Sequence, residues 1–233
     1  MDGRAITDPL RRVVPERIDV AIDGVHGATA APLTIALYKP RGYVTTRSDP
    51  EGRKTVYDLL AGLDVPVVPV GRLDLATSGL LLFTNDTQFA NWLTDPSSAI
   101  PRIYLVTARG RIDEALRDQL VGGITSNDEQ LHAADVVIRK ASTRETHLTV
   151  TLTEGKNREV RRLFEAIGHP VTQLRRVQFG GLALGALAPG AWRPVPDDEL
   201  RAAFPGYQPR ARRRNPSSTR SRPHPASGTS KNR

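Results

Sequence analysis

"GRLDLATSGLLLFTND" occupies residues 71–86, and the fold turns on how its apolar half is read. The run GLLLFT, 79–84, has no polar alternation, is short, and ends at Asn85 and Asp86, both helix-capping residue types. So short and apolar a run reads as a strand buried on both faces. The polar half allows more than one reading. Arg72 and Asp74 are two apart, so on an extended segment their side chains share a face. Such a pair is a surface salt bridge, an aspartate capping the next turn, or a carboxylate with chemistry to do.

Working outward, LTIALYKP (33–40) predicts a strand ended by Pro40, with Gly42 turning the chain into YVTT. A helix is expected over TVYDLLAGL (55–63). VPVVPVGRLD (65–74) is extended, and Pro66 and Pro69 put it at a sheet edge. After Asp86, the residues Phe89, Ala90, Trp92 and Leu93 form one helical face. RIYLVTARG (102–110) predicts a strand with Tyr104 and Val106 opposite Ile103 and Leu105. DEALRDQLVGG (113–123) predicts a helix capped by Asp113 and stopped near Gly122. In THLTVTLTEG (146–155), Leu148, Val150 and Leu152 alternate with Thr149, Thr151 and Thr153. NREVRRLFEAIGH (157–169) is the clearest helix, because Val160, Leu163, Phe164 and Ile167 make one stripe before Gly168. VTQLRRVQF (171–179) and AWRPV (191–195) read as strands. Many strands with a few helices, not strictly alternating, give an α+β fold: a mixed, mainly antiparallel sheet with flanking helices.

Charge divides the chain. Residues 208–233 carry eight Lys/Arg and no Asp or Glu, while the other 207 residues hold 25 basic and 25 acidic side chains. The net +8 therefore belongs to the tail. Its Pro, Ser and Arg content and lack of apolar periodicity predict a disordered segment, serving either as a solubilising end or as an anchor to phosphate backbones. Residues 34–207 are expected to form the main domain, preceded by a short β-rich segment over 1–33. There Ile18, Val20 and Ile22 alternate before an Asp-Gly turn. No apolar run approaches the length that spans a bilayer, and the first residues lack the apolar core of a secretory signal. The absence of cysteine excludes disulfides and thiolate chemistry and fits a reducing cytoplasm.

The chain contains no phosphate-binding GxxxxGK[ST], no GxGxxG and no GxSxG. His26, His132, His147, His169 and His224 show neither HExxH nor close pairing, which points away from a metal site. If the chain is an enzyme, these motifs favour carboxylate chemistry without a cofactor, while a serine–histidine–acid triad stays open though no GxSxG elbow supports it. On the 157–169 helix, Arg158 and Arg162 lie opposite the apolar stripe, as a solvated basic face would. Arg161 sits on the flank, where it can reach a partly buried cleft. Tyr104 is either strand packing or an aromatic platform. An acid, arginines and a ring together suit a polyanion whose base is stacked and whose sugar is attacked.

The words KPRGYVTTRSDPEGRKTVYDLL, VGRLDLATSGLLLFTND, PRIYLV, EGKNREVRRLFEAIGHPVTQLRRVQFG and LAPGAWRPV, in this order, resemble the RsuA-like family of ribosomal RNA pseudouridine synthases over residues 34–196. The resemblance implies a mixed-sheet catalytic domain with a central cleft. It implies an isomerase, acting without cofactor or metal on one uridine of ribosomal RNA. By the family's motifs, Asp74 is the catalytic aspartate, working on the ribose of a flipped-out uridine. Tyr104 is then the ring that stacks on uracil, and Arg161 the partner that keeps the aspartate ionised. Arg72 is expected to hold or replace the flipped nucleotide, and Lys39, Arg158 and Arg162 to meet phosphates. Arg102 stands where many relatives have a lysine, and is counted with the RNA contacts. GRAITDPLRRVVPERIDVAIDG (3–24) resembles only the last part of the small alpha-L RNA-binding module that many relatives carry. The expected protein is a cytoplasmic monomer whose partner is ribosomal RNA. The rival reading is a catalytically idle RNA-binding or ribosome-assembly factor on the same fold.

Overall fold

In the computed structural model, residues 31–126 and 128–207 are described, and two short strands are placed before them. These two, β1 (Ala21–Ile22) and β2 (Val25–His26), pair antiparallel. Ile18, Val20, the Asp-Gly turn and the basic tail lie outside the described residues.

The remaining elements are β3 (Thr34–Lys39), a 3₁₀ turn at Val56–Leu60, β4 (Val68–Pro69), β5 (Ser78–Thr84), α1 (Thr87–Thr94), β6 (Arg102–Arg109) and α2 (Glu114–Gly122). They continue with β7 (Ile124–Ser126), β8 (Glu129–Leu131), β9 (Asp135–Ala141), β10 (Glu145–Leu152), α3 (Glu159–Ala166), β11 (Val171–Phe179), β12 (Leu182–Ala183), β13 (Trp192–Pro194) and α4 (Asp197–Ala203). The large sheet runs β13–β3–β5–β11–β6–β10–β9, with β4 against β5 and β12 against β11. Each of its pairings is antiparallel except β5–β11, where Arg175 and Arg176 lie parallel to Ser78 and Gly79. The sheet is mixed and mainly antiparallel, as the sequence predicts.

β5 is apolar throughout because it is covered on both faces. Leu80 and Leu82 enter one core with Phe89 and Leu93 of α1, and with Phe204 after α4. Leu81 and Phe83 enter a second core with Val160, Leu163 and Phe164 of α3. Each such burial contributes about 1.5–3 kcal/mol, so this strand anchors the fold. β10 is covered on one face only: Leu148, Val150 and Leu152 are buried while Thr149 and Thr151 are half-buried, hence its clean alternation.

Helix ends follow side-chain chemistry. Asp86 Oδ1 accepts from the N–H groups of Gln88 and Phe89, both at 3.0 Å, and starts α1. Asp113 Oδ1 accepts from Leu116 N at 3.0 Å and starts α2. The helix expected over 55–63 is only a 3₁₀ turn. Asp58 bonds back to Thr55 N–H at 2.8 Å, and Leu63 N–H already closes on Leu60 at 3.1 Å, so no longer helix develops. The β7–β8 hairpin, β9 and α4 add to the elements expected from sequence.

Candidate active site

Asp74 sits in the segment between β4 and β5, and its backbone is pinned from three directions. Thr45 Oγ1 donates to Leu73 O at 2.8 Å, and Gly42 N–H donates to Leu75 O at 2.8 Å. From below, Lys39 Nζ donates to Asp74 O at 2.9 Å, Thr77 O at 2.8 Å and Pro40 O at 3.1 Å. Lys39 is fully buried at the end of β3. Burial pushes its ammonium down to about 8, with the Asp74 charge acting against that, so it stays charged at neutral pH. Its three protons match three carbonyls and none is left for a phosphate, which corrects the expectation that Lys39 meets RNA. Lys39→Met leaves those carbonyls without donors. It is expected to lower stability by about 2–4 kcal/mol, or roughly 4–16 °C in Tm for a chain this size. Thermal unfolding checks this, and a shift below about 2 °C contradicts it.

The Asp74 carboxylate meets α3. Its Oδ2 accepts from Arg161 Nε at 3.0 Å and lies 3.8 Å from Arg158 Nη1. Arg161 also donates from Nη1 to Val171 O at 3.2 Å and from Nη2 to Thr77 Oγ1 at 3.4 Å. The guanidinium is thus held by a carboxylate, a carbonyl and a hydroxyl, which is why an arginine is tolerated on the buried side of the helix. Burial alone raises the Asp74 pKa, but the Thr77 hydroxyl, then Arg161 and Arg158, outweigh it and hold it below the usual aspartate value. The carboxylate is therefore ionised at neutral pH. Its second oxygen, Oδ1, is buried and accepts no hydrogen bond among the described residues.

Tyr104 lies on β6, in the core that also contains Val160 and Leu163 of α3. In register across the sheet it stands opposite Arg176 of β11, which stands opposite Gly79 of β5. At about 4.8 Å per strand, its backbone is roughly 10 Å from the start of β5.

The family model described as RNA pseudouridylate synthase matches residues 34–166. The chain belongs to this family. Among its relatives is an uncharacterized RNA pseudouridine synthase of Aquifex aeolicus, 35% identical over 91% of this chain and 88% of that protein. Another is the ribosomal large subunit pseudouridine synthase B of Salmonella typhi, 39% identical over 82% of this chain and 68% of the relative. A crystal structure of a pseudouridylate synthase is similar at a TM-score of 0.63 and 28% identity, covering 73% of each chain. The pseudouridine synthase fold and the mixed sheet expected from sequence agree with these findings.

Within this family fold, the other expected RNA contacts separate into free and committed side chains. Arg72 is exposed and makes no hydrogen bond or ion pair among the described residues, so the Arg72–Asp74 pair is not a salt bridge. Arg158 is half exposed and begins α3 in a left-handed conformation at φ 48°. Arg102 corrects the expectation of an RNA contact. It is buried, donating to Ile100 O (2.9 Å), Thr153 O (3.0 Å) and Leu93 O (3.1 Å), with its guanidinium 5.0 Å from the Phe179 ring centroid. It closes the last turn of α1 onto the sheet. Arg162 is likewise committed: Nη1 donates to Glu129 at 2.6 Å and Nη2 to Ser126 O at 2.7 Å, tying α3 to the β7–β8 hairpin. Thr77 is a site residue that sequence reasoning missed; its signal was its place three residues after Asp74, within hydroxyl reach of the same carboxylate. Among the described residues no group of three or more His, Cys, Asp or Glu is placed to hold a metal, and no helix is long and apolar enough to cross a membrane.

Proposed function

We propose that the protein isomerises a uridine of ribosomal RNA to pseudouridine, with Asp74 as the reacting carboxylate. The observation that carries this is the ionised Asp74, fixed through Oδ2 by Arg161 and flanked by the Thr77 hydroxyl and Arg158. Family membership supports the reaction, and the name of the Salmonella relative supports large-subunit RNA as the first substrate to test.

A stacked uridine must leave the RNA helix before a carboxylate can reach its sugar. Tyr104 offers its ring to the extruded uracil. Asp74 then attacks the anomeric carbon or removes a sugar proton, and in either case the carbon–nitrogen bond breaks with its electrons going to the base. The uracil turns and its C5 bonds to the anomeric carbon as the Asp74 ester bond breaks, or as the abstracted proton returns to the sugar; the C5 proton then leaves and N1 takes one up. Arg161 keeps Asp74 ionised and aimed throughout. Arg72, unpaired among the described residues, and Arg158, half exposed beside Asp74, are assigned to the RNA backbone or the vacated stack. No cofactor is required by any of these steps, and the protein is taken to act in the cytoplasm as a monomer.

The test is incubation of purified protein with large- and small-subunit ribosomal RNA transcripts, followed by mapping of pseudouridines. A new pseudouridine at one position is the expected result; none in either RNA overturns the reading.

A further inference from the structure

The turn that delivers Arg158 and Arg161 to Asp74 is closed by two acidic side chains that ordinary charge pairing does not explain. Glu159, first residue of α3, is 3% exposed. Its Oε2 accepts from Lys156 N–H at 3.2 Å, whereas its Oε1 is buried with no donor. The carboxyl facing it is that of Glu154, with which it is in hydrogen-bonding contact. Glu154 is already supplied with positive charge: Lys156 Nζ donates to its Oε1 at 2.7 Å. Two carboxyls in contact, one of them buried, favour holding one proton between them. Oε1 of Glu159 is orphaned only while that proton is left out.

We propose that Glu159 works as a neutral carboxylic acid, its Oε1–H donating to the Glu154 carboxylate, and that this bond positions Arg158 and Arg161 on Asp74. Importance for the reaction rests on the reading of Asp74 given above. The Glu159 side chain folds back on Lys156 N–H while its own backbone N–H closes on Lys156 O at 3.3 Å, so both bonds of the 156–159 turn meet at this residue. Inside that turn Arg158 holds φ 48°, a conformation an arginine keeps only when its surroundings impose it. Arg158 reaches Asp74 from there, and Arg161 follows three residues, nearly one turn, later.

The surrounding charges favour the neutral form. Burial, then the hydrogen bond and charge of Glu154, raise the Glu159 pKa to about 7, against the Lys156 N–H. From β6, Arg102 is near enough to act on Glu159 electrostatically, but its guanidinium donors go to the carbonyls of Ile100, Thr153 and Leu93. From β8, Glu129 is taken up by Arg162. The Lys156 ammonium is hydrogen-bonded to Glu154, and its charge acts on Glu159 only as a smaller opposing influence. As the folded pKa lies above the unfolded one, the stability Glu159 contributes is complete below the unfolded value, near 4.5. It is lost as pH rises towards and through about 7.

Glu159→Gln tests this, because the amide keeps one acceptor for Lys156 N–H and one donor for Glu154 but cannot ionise. In thermal unfolding without RNA, the Tm of the unaltered protein is expected to fall relative to that of E159Q between pH 5 and about 7.5. In pseudouridine formation, kcat of the unaltered protein falls by about threefold or more from pH 6.5 to 8.5, while E159Q stays level and KM changes in neither. Glu154→Gln removes the second carboxylate and is expected to abolish the same pH dependence. Identical Tm and kcat profiles for the unaltered protein and E159Q overturn the proposal. If the Tm difference holds but no pseudouridine forms at any pH, the acid pair stands and the uridine reading fails.

Discussion

Asp74→Asn is expected to abolish pseudouridine formation, by a factor on the order of 10⁴ or more, while leaving RNA binding intact. The substitution is nearly isosteric. Its amide oxygen can still accept from Arg161 Nε, now 3.0 Å from Oδ2, so the guanidinium retains its carbonyl, its hydroxyl and a weaker third partner. What disappears is the negative charge and with it the nucleophile or base. Stability should fall only modestly, by about 1–3 kcal/mol, because a buried arginine loses its counter-charge but not its hydrogen bond. Binding should hold or tighten slightly, since a carboxylate near a polyanion is removed and Arg72 and Arg158 are untouched. Pseudouridine mapping and a binding titration on the same preparation separate the two effects. Residual activity above about one per cent would show that Asp74 is not the reacting group. Activity and binding lost together would make it part of the RNA surface instead.

What the sequence made legible depended on how local the cause was. β5 was readable because burial on both faces removes every polar residue between Gly79 and Phe83, and β10 because burial on one face leaves leucine and valine alternating with threonine. The caps at Asp86 and Asp113 were readable because their bonds span two or three residues. The short polar strands of the β7–β8 hairpin carry no such pattern. Cations were the least legible. Lys39, Arg102, Arg161 and Arg162 are equally basic in the sequence, but where each guanidinium or ammonium ends up is decided by carbonyls and carboxylates distant in the chain. Lys39 binds Thr77 O across 38 residues, and Arg161 binds Asp74 across 87. No periodicity encodes such a pairing. The partnership of Asp74 with Arg161 was expected only from the resemblance of several motifs together, whereas the Arg72–Asp74 spacing suggested a nearer partner that the fold does not use.

Gly79→Ala is expected to cost about 4 kcal/mol or more and to take activity with it. Gly79 has φ +110°, and a Cβ there would overlap the carbonyl oxygen of Arg176 and come within 2.7 Å of its nitrogen. The obstacle is backbone, not a side chain that can turn aside. It lies at the β5–β11 junction, the parallel pairing at the centre of the large sheet. Relief requires moving β5 away from β11. That shifts Thr77 and Asp74 at one end of β5, and Arg176, which donates from Nε to Leu80 O at 2.8 Å, on the other strand. Gly42→Ala is the control: its φ is +86°, but nothing lies within 4 Å of the added carbon, so only the backbone strain of about 1 kcal/mol remains. Thermal unfolding should place Gly79→Ala roughly 6–12 °C below Gly42→Ala. Near-equal Tm values would mean that β5 and β11 can part without loss, and then the close approach of these two strands would not be what holds Asp74 against α3.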